Sequence, residues 1–83
     1  MKNRNKPVRL TDGQSEVLGV LRKYGPLPDH ALVPLAQHVV HTHQSSSSIR
    51  SRRAELARKG FVVDSGDVAL TASGRKAVVW EAV

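Results

Sequence analysis

The residues best suited to chemistry lie in one segment, residues 45–60, whose sequence is SSSSIRSRRAELARKG. It begins with four serines, continues with arginines at helical spacing and ends with a lysine and a glycine. Hydroxyls and free backbone N–H groups at the start of a helix can bind phosphate, and arginine can hold phosphate or guanine through two hydrogen bonds. The predicted chemistry is therefore the binding of phosphate groups, not the making or breaking of covalent bonds.

This segment is predicted to form an amphipathic helix over about residues 46–59. A serine before it supplies the N-cap, and a glycine ends it. Projection at about 100° per residue places Ile49, Arg53 and Leu56 on one side, which must face the core. Because a buried guanidinium needs a partner, we expect Arg53 to pair with a carboxylate, and Asp64 is the first candidate.

The opposite side of this helix carries small and hydrogen-bonding side chains, which suit close approach to a groove. Large apolar side chains there would instead favour a protein partner. Two simpler interpretations stay open: the serines serve only as caps, and the arginines lie on a solvated flank where Glu55 pairs with Arg50 or Arg52. The helix residues predicted to contact the ligand are Ser46, Ser47, Ser48, Arg50, Ser51, Arg52 and Arg58.

The composition favours a polyanionic ligand and a single small domain. The chain has 83 residues, with 13 Lys and Arg against 7 Asp and Glu, for a net charge of +6. This excess of positive charge predicts a polyanionic partner, and the length allows one modest core. The chain has no apolar run long enough to span a membrane, so we expect a cytoplasmic, nucleoid-associated protein.

The same composition argues against an enzyme, a metal site or a cofactor. The absence of cysteine excludes thiolate chemistry and cysteine-ligated zinc. No Ser, His and carboxylate constellation, glycine-rich phosphate loop or pair of catalytic carboxylates stands out. The histidines lack a recognisable zinc spacing and are interpreted as structural or incidental; they are His30, His38, His41 and His43.

The first residues of the chain, 1–9, are polar and basic. They are predicted to form a flexible arm ahead of a folded domain at residues 10–83. Because a basic arm is attracted to a polyanion, Arg4, Lys6 and Arg9 are expected to contact the same ligand as the helix.

Two further helices are predicted between the arm and the serine run. Thr11 and Gln14 have the spacing of a capping box, an apolar stripe at i, i+3, i+4 and i+7 follows, and a Gly-Pro pair ends the first helix. Asp29 is the predicted cap of the second helix. Pro34 lies beyond the first turn of that helix, so we expect a kink there or a loose first turn.

After the long basic helix the pattern changes to β-structure. Residues 61–63 are predicted to form a short strand, and residues 77–83 a second strand that pairs with it and covers the core with Trp80. The connection between them is then a long excursion over residues 65–76, which begins with turn-forming residues. The competing prediction is a fourth helix capped by Thr71. The basic residues predicted to contact the ligand from the excursion are Arg75 and Lys76.

The order helix, helix, basic helix and hairpin resembles the small winged helix-turn-helix DNA-binding proteins of bacteria and their phages. The segments that carry the resemblance are IRSRRAELARKGFVVDSG and LTASGRKAVVW. The resemblance implies an α+β fold with three helices and a C-terminal β-hairpin wing. It also implies a third helix in the major groove, a wing over the adjacent backbone or minor groove, and no catalysis.

The function expected from the residues and the resemblance is binding of double-stranded DNA by a transcriptional regulator, as a monomer or a homodimer. Two alternatives stay open. The first is an architectural factor in replication or recombination, which binds DNA with little choice of sequence. The second is an adaptor whose winged-helix surface binds and inhibits a protein partner. Steep salt dependence separates DNA binding from the adaptor, and sequence discrimination separates the regulator from the architectural factor.

Overall fold

The computed structural model describes residues 9–83. It contains three helices and a three-stranded antiparallel sheet of order β1-β3-β2. This confirms the predicted α+β class with a C-terminal hairpin, and the arrangement is compatible with a winged helix-turn-helix. The elements, in chain order, are α1 Asp12–Tyr24, β1 Leu27–Pro28, α2 Asp29–Pro34, a π-helical turn Leu35–Val39, α3 Ser46–Lys59, β2 Val62–Leu70 and β3 Lys76–Ala82.

The ends of α1 are those that the sequence predicts. The backbone N–H of Gln14 donates to the Thr11 hydroxyl at 3.1 Å, and the Thr11 N–H donates to the Gln14 side-chain oxygen at 3.0 Å. These reciprocal hydrogen bonds satisfy two backbone donors that the helix start would otherwise leave free. The helix ends at Gly25, whose φ of 86° lies in the region that favours glycine.

The second helix differs from its prediction. Asp29 is its first residue and not its cap, and Pro28 occupies the N-cap position without a side-chain hydrogen bond. The regular part stops at Pro34, and the chain then widens into a π-helical turn in which the Val40 N–H donates to the Leu35 carbonyl at 3.0 Å. Proline has no N–H and its ring crowds the preceding turn, which accounts for the change of helix type at this point.

One core lies between the three helices and the sheet. All three helices and β2 contribute residues to it, and α3 packs against α1, α2 and β2. Trp80 of β3 covers this core as predicted, with Leu27 and Phe61 beside it. The largest fully buried side chains are Leu21, Leu32, Ile49, Leu56, Val17, Val20 and Val62.

The strands of the hairpin are longer than predicted, and their connection is shorter. β2 runs from Val62 to Leu70, so the prediction of a three-residue strand and a long excursion over residues 65–76 is wrong. Only residues 71–75 connect the strands, and residues 65–67 form a bulge within β2, between Asp64 and Val68, where the register with β3 shifts. The turn-forming residues there bend the strand without ending it, because the apolar residues that follow pair again with β3. The fourth helix from Thr71 is also wrong.

A third strand was not predicted. Leu27 and Pro28 form β1, in which Leu27 lies opposite Trp80 and Pro28 opposite Val79. This short strand covers one edge of β3 and leaves β2 as the other edge of the sheet. No helix within residues 9–83 is long and apolar enough to cross a membrane.

Candidate nucleic-acid interface

The start of α3 uses one of its serines as a cap. The Ser45 hydroxyl accepts a hydrogen bond from the backbone N–H of Ser48 at 3.1 Å, which confirms the predicted start of the helix. Ser46 and Ser47 are exposed beside it, and the Ser47 hydroxyl lies 3.3 Å from that of Ser45. Capping therefore accounts for one hydroxyl and leaves two others on the surface at the positive end of the helix dipole.

The turn before α3 is anchored to α1. The Glu16 carboxylate accepts hydrogen bonds from the Thr42 hydroxyl and, at 2.9 Å, from the side-chain amide of Gln44. Both bonds lower the pKa of Glu16, and the bond from Thr42 has the larger effect. The Gln44 amide also donates to the Gly13 carbonyl at 3.1 Å. Four residues of two segments thus fix the approach of the chain into α3, which sets the position of the serines.

The guanidinium of Arg52 is paired with a carboxylate of the protein. Its Nε and Nη2 atoms donate to the two carboxylate oxygens of Glu55, each at 2.7 Å. The Gln14 side chain donates to the same carboxylate at 2.8 Å. The hydrogen bonds from Arg52, followed by that from Gln14, lower the pKa of Glu55 to about 2. Of the two pairings left open for Glu55, the structure has the one with Arg52.

Arg53 has a carboxylate partner, as predicted, but the partner is Asp29 and not Asp64. Nε lies 2.9 Å from Oδ1 of Asp29 and Nη2 lies 2.6 Å from Oδ2, with the Arg53 side chain only 15% exposed. The guanidinium also lies over the Trp80 ring. Asp64 instead accepts a hydrogen bond from the Gly66 N–H at 2.9 Å, within the bulge. The partner is a residue 24 positions away, which helix packing and not local spacing brings close.

Three of the residues predicted on α3 have exposed side chains that could contact a ligand. Arg50, Ser51 and Arg58 are exposed, and their side chains form no hydrogen bond or ion pair with any other residue between positions 9 and 83. Arg50 also borders an open cleft between α3 and the hairpin, which Thr71 and Trp80 line from the other side. The exposed face of α3 therefore offers two guanidinium groups and several hydroxyls.

The hairpin presents its predicted cations at its tip. Arg75 and Lys76 are both exposed. The tip is closed by a hydrogen bond from the Thr71 N–H to the Arg75 carbonyl at 2.8 Å and by one from the Arg75 N–H to the Thr71 hydroxyl at 3.1 Å. The acidic residues Asp64 and Asp67 lie at the bulge, nearer the body of the protein. The positive charge of the hairpin is thus concentrated at the end farthest from the core.

The remaining predicted residues contribute less to this surface. Ser48 is partly buried, and its backbone N–H completes the cap. Arg9 is exposed at the start of the described chain, and Arg4 and Lys6 lie outside the described residues. No group of three or more metal-binding side chains occurs between residues 9 and 83.

Two sets of residues have roles that no local pattern indicates. Gln14 donates to Glu55, the partner of Arg52, and Asp29 pairs with Arg53, each from another helix. Val68, Leu70 and Val78 are exposed on the hairpin, by 61%, 67% and 39%. The alternation of apolar residues at positions 68 and 70 is typical of a strand and would have extended β2 had the bulge been recognised.

The chain matches no model of a known protein family and no curated protein.

Proposed function

We propose that this protein binds double-stranded DNA without catalysis, with α3 in the major groove and the hairpin beside it as a wing. The observation that carries the proposal is that two arginines of α3 are paired with carboxylates and two are not. Arg52 and Arg53 are held by carboxylates, whereas Arg50 and Arg58 point to a surface where they have no partner among residues 9–83. Two unpaired guanidinium groups beside exposed serines form a site for phosphate and base edges.

The shape of α3 supports a groove contact. The major groove of B-DNA is about 12 Å wide and admits one α-helix when its outer side chains are small. Ser47 and Ser51 are exposed and lie one turn apart, so the helix has little bulk on that side. Arg50 lies next to them and is long enough to reach past the serines to a guanine or to a phosphate.

The electrostatics also favour a polyanion. The net charge of +6 attracts DNA at a distance. The exposed cations of α3 and of the hairpin tip steer the DNA towards that side of the protein. Because Arg52 is paired with Glu55, its charge is not available to the DNA. Arg50 is therefore the residue that we assign to base or phosphate contact near the start of α3, and Arg58 to a phosphate near its end.

The biological role that we propose is transcriptional regulation in the nucleoid, which requires the protein to choose among DNA sequences. A selection from random duplexes tests this part separately: enrichment of one motif supports a regulator, and binding without enrichment supports an architectural factor. Specific sites are typically bound at least about 1,000-fold more tightly than random ones.

The experiment that tests DNA binding compares Arg50→Ala with Arg22→Ala. Both residues are exposed arginines on helices, and each substitution removes one positive charge, but Arg22 lies on α1 and is not part of the face assigned to DNA. Fluorescence anisotropy with labelled duplex DNA should show a loss of about tenfold for Arg50→Ala and little change for Arg22→Ala. Equal losses for the two variants would show that only net charge matters and would contradict the assigned face.

A further inference from the structure

The strand β2 forms a free edge of the sheet. In the order β1-β3-β2, one edge is the two-residue strand β1 and the other is β2, which has nine residues. No strand within residues 9–83 pairs with the outer side of β2. A long edge strand presents unpaired N–H and C=O groups that can pair with another chain. The outer side of β2 is therefore a surface to which a further strand can be added.

The backbone groups of Val68 and Leu70 point towards this free edge. At the hairpin tip, the Thr71 N–H donates to the Arg75 carbonyl at 2.8 Å, so these two residues form a hydrogen-bonded pair. Hydrogen-bonded and non-hydrogen-bonded pairs alternate along an antiparallel ladder. Counting back from Thr71, Ala69 is hydrogen-bonded to β3, whereas Leu70 and Val68 are not. The N–H and C=O groups of Leu70 and Val68 therefore point away from β3.

The same two residues have exposed apolar side chains. Val68 is 61% exposed and Leu70 is 67% exposed. Val78 lies opposite Val68 and extends the apolar surface onto β3. Exposing such residues together has a cost in water, and a cluster of this kind on a small domain marks a contact surface. Backbone and side chains of this part of β2 thus point to the same kind of contact, the addition of an apolar strand.

The bulge of β2 limits the length of edge that can pair. Residues 65–67 interrupt the ladder with β3, and the register shifts across them. A bulge bends and twists its strand, which blunts an edge against pairing along its whole length. The segment beyond the bulge, residues 68–70, is the part that remains regular up to the tip.

A second copy of this chain fits residues 68–70 in one register. In an antiparallel ladder, residues whose backbone groups point towards each other form the hydrogen-bonded pairs. Only one register pairs Val68 of each copy with Leu70 of the other, and it places Ala69 opposite Ala69 on a two-fold axis. The apolar side chains of both copies then meet on one face of the joined sheets.

The charges of the hairpin also favour a second copy. β2 contains Asp64 and Asp67 and no lysine or arginine, whereas the tip carries Arg75 and Lys76. Antiparallel pairing places the acidic end of each β2 beside the basic tip of the other copy. Opposite charges therefore lie near each other at both ends of the contact, although the chain as a whole is basic. The two aspartates, which would repel a phosphate, suit this partner.

We propose that this protein forms a symmetric dimer in which residues 68–70 of two copies pair as antiparallel strands and join the two sheets. The contact buries Val68 and Leu70 and uses the free backbone groups of β2. This inference goes beyond the proposed function, because the pairing does not involve α3 and holds whether or not the protein binds DNA.

The first test is a disulfide at the two-fold axis. The chain has no cysteine, so Ala69→Cys introduces a single thiol in each copy. Non-hydrogen-bonded partners in an antiparallel ladder have Cα atoms about 4.5 Å apart, which a disulfide can span. Mild oxidation should convert most of this variant to a covalent dimer on non-reducing gels. Val63→Cys is the matched control, because Val63 is exposed on the same strand before the bulge, and it should stay largely monomeric.

The second test is sedimentation of the protein without DNA. The wild type should dimerise as its concentration rises to about 1 mM, as expected for a small interface. Leu70→Pro removes an edge N–H without removing a hydrogen bond to β3, and it should weaken dimerisation at least about tenfold. Val63→Thr should dimerise like the wild type. Circular dichroism checks folding, and Val68→Thr with Leu70→Thr, which keeps the strand propensity, replaces Leu70→Pro if that variant unfolds.

Three results would overturn the inference. If the wild type sediments as a monomer at every concentration, the dimer does not exist. If Ala69→Cys and Val63→Cys form covalent dimers to the same extent, the strands do not pair about Ala69. If a folded Leu70→Pro or double threonine variant dimerises as tightly as the wild type, the dimer uses another surface. Failure of the wild type to bind DNA would contradict the proposed function and leave these results unchanged.

Discussion

The guanidinium of Arg53 lies 4.2 Å from the centre of the Trp80 ring. The same guanidinium forms two hydrogen bonds with Asp29, so one side chain joins α3, the start of α2 and strand β3. Stacking on an aromatic ring and pairing with a carboxylate both use the planar shape of arginine. The helix assigned to the groove and the strand that supports the wing are thereby fixed relative to each other.

Asp29→Ala should destabilise the protein by about 2 kcal/mol, because it leaves a mostly buried guanidinium without its partner. For a domain of this size, the melting temperature should fall by about 10 °C. Asp67→Ala is the matched control, since Asp67 is exposed and forms no ion pair with another residue between positions 9 and 83. Similar melting temperatures for the two variants would show that the Arg53 pair adds nothing. Adding Arg53→Met to Asp29→Ala should recover part of the loss.

Glu55→Ala should strengthen DNA binding while weakening the fold. Removal of the carboxylate frees Arg52 for a phosphate and leaves Gln14 without its acceptor. Affinity at low salt should rise severalfold, and the magnitude of the salt slope should increase by about one. The control is Glu81→Ala, which makes the same charge change at an exposed position of β3. A gain for Glu81→Ala as large as that for Glu55→Ala would contradict the release of Arg52.

The stability of the protein should depend on pH through Glu55. Its pKa is lowered from the usual 4.5 to about 2, first by hydrogen bonds from Arg52 and then by that from Gln14. Because the pKa is lower in the folded state than in the unfolded state, the stabilisation is present above about pH 4.5 and is lost as the pH falls towards about 2. Thermal melts across this range should show a smaller decrease for Glu55→Gln than for the wild type. If the melting temperatures of the two proteins decrease in parallel as the pH falls, the pH dependence does not come from Glu55.

The cations at the hairpin tip should act on DNA binding without regard to sequence. Arg75→Glu combined with Lys76→Glu should weaken binding to all duplexes alike and reduce the magnitude of the salt slope by about two. Anisotropy titrations with several unrelated duplexes measure both quantities. If affinity and slope stay unchanged, these residues face away from the DNA.

Local patterns in the sequence predicted the helices that position the site. The capping box at Thr11 and Gln14 and the serine and glycine at the ends of α3 act within a few residues, so they can be recognised without the fold. The hydrophobic projection of α3 also placed Ile49 and Leu56 correctly in the core. These elements depend on contacts between near neighbours in the chain.

The features that the sequence did not predict depend on distant contacts. β1 has two residues and exists because β3 lies beside it, and a strand that short has no pattern of its own. The partner of Arg53 follows from the packing of α2 on α3. The length of β2 was missed because Gly66 and its neighbours were interpreted as a turn, whereas pairing with β3 carries the strand through them as a bulge.

The measurement that tests the central claim most directly is the salt dependence of binding between the wild-type protein and duplex DNA. Arg50, Arg58, Arg75 and Lys76 are the exposed cations assigned to the contact, and each phosphate that they neutralise releases counterions. A plot of log affinity against log salt concentration should be linear, with a negative slope of magnitude about four or more. A slope near zero, or no binding at the lowest salt concentration, would contradict the proposal that this protein binds DNA.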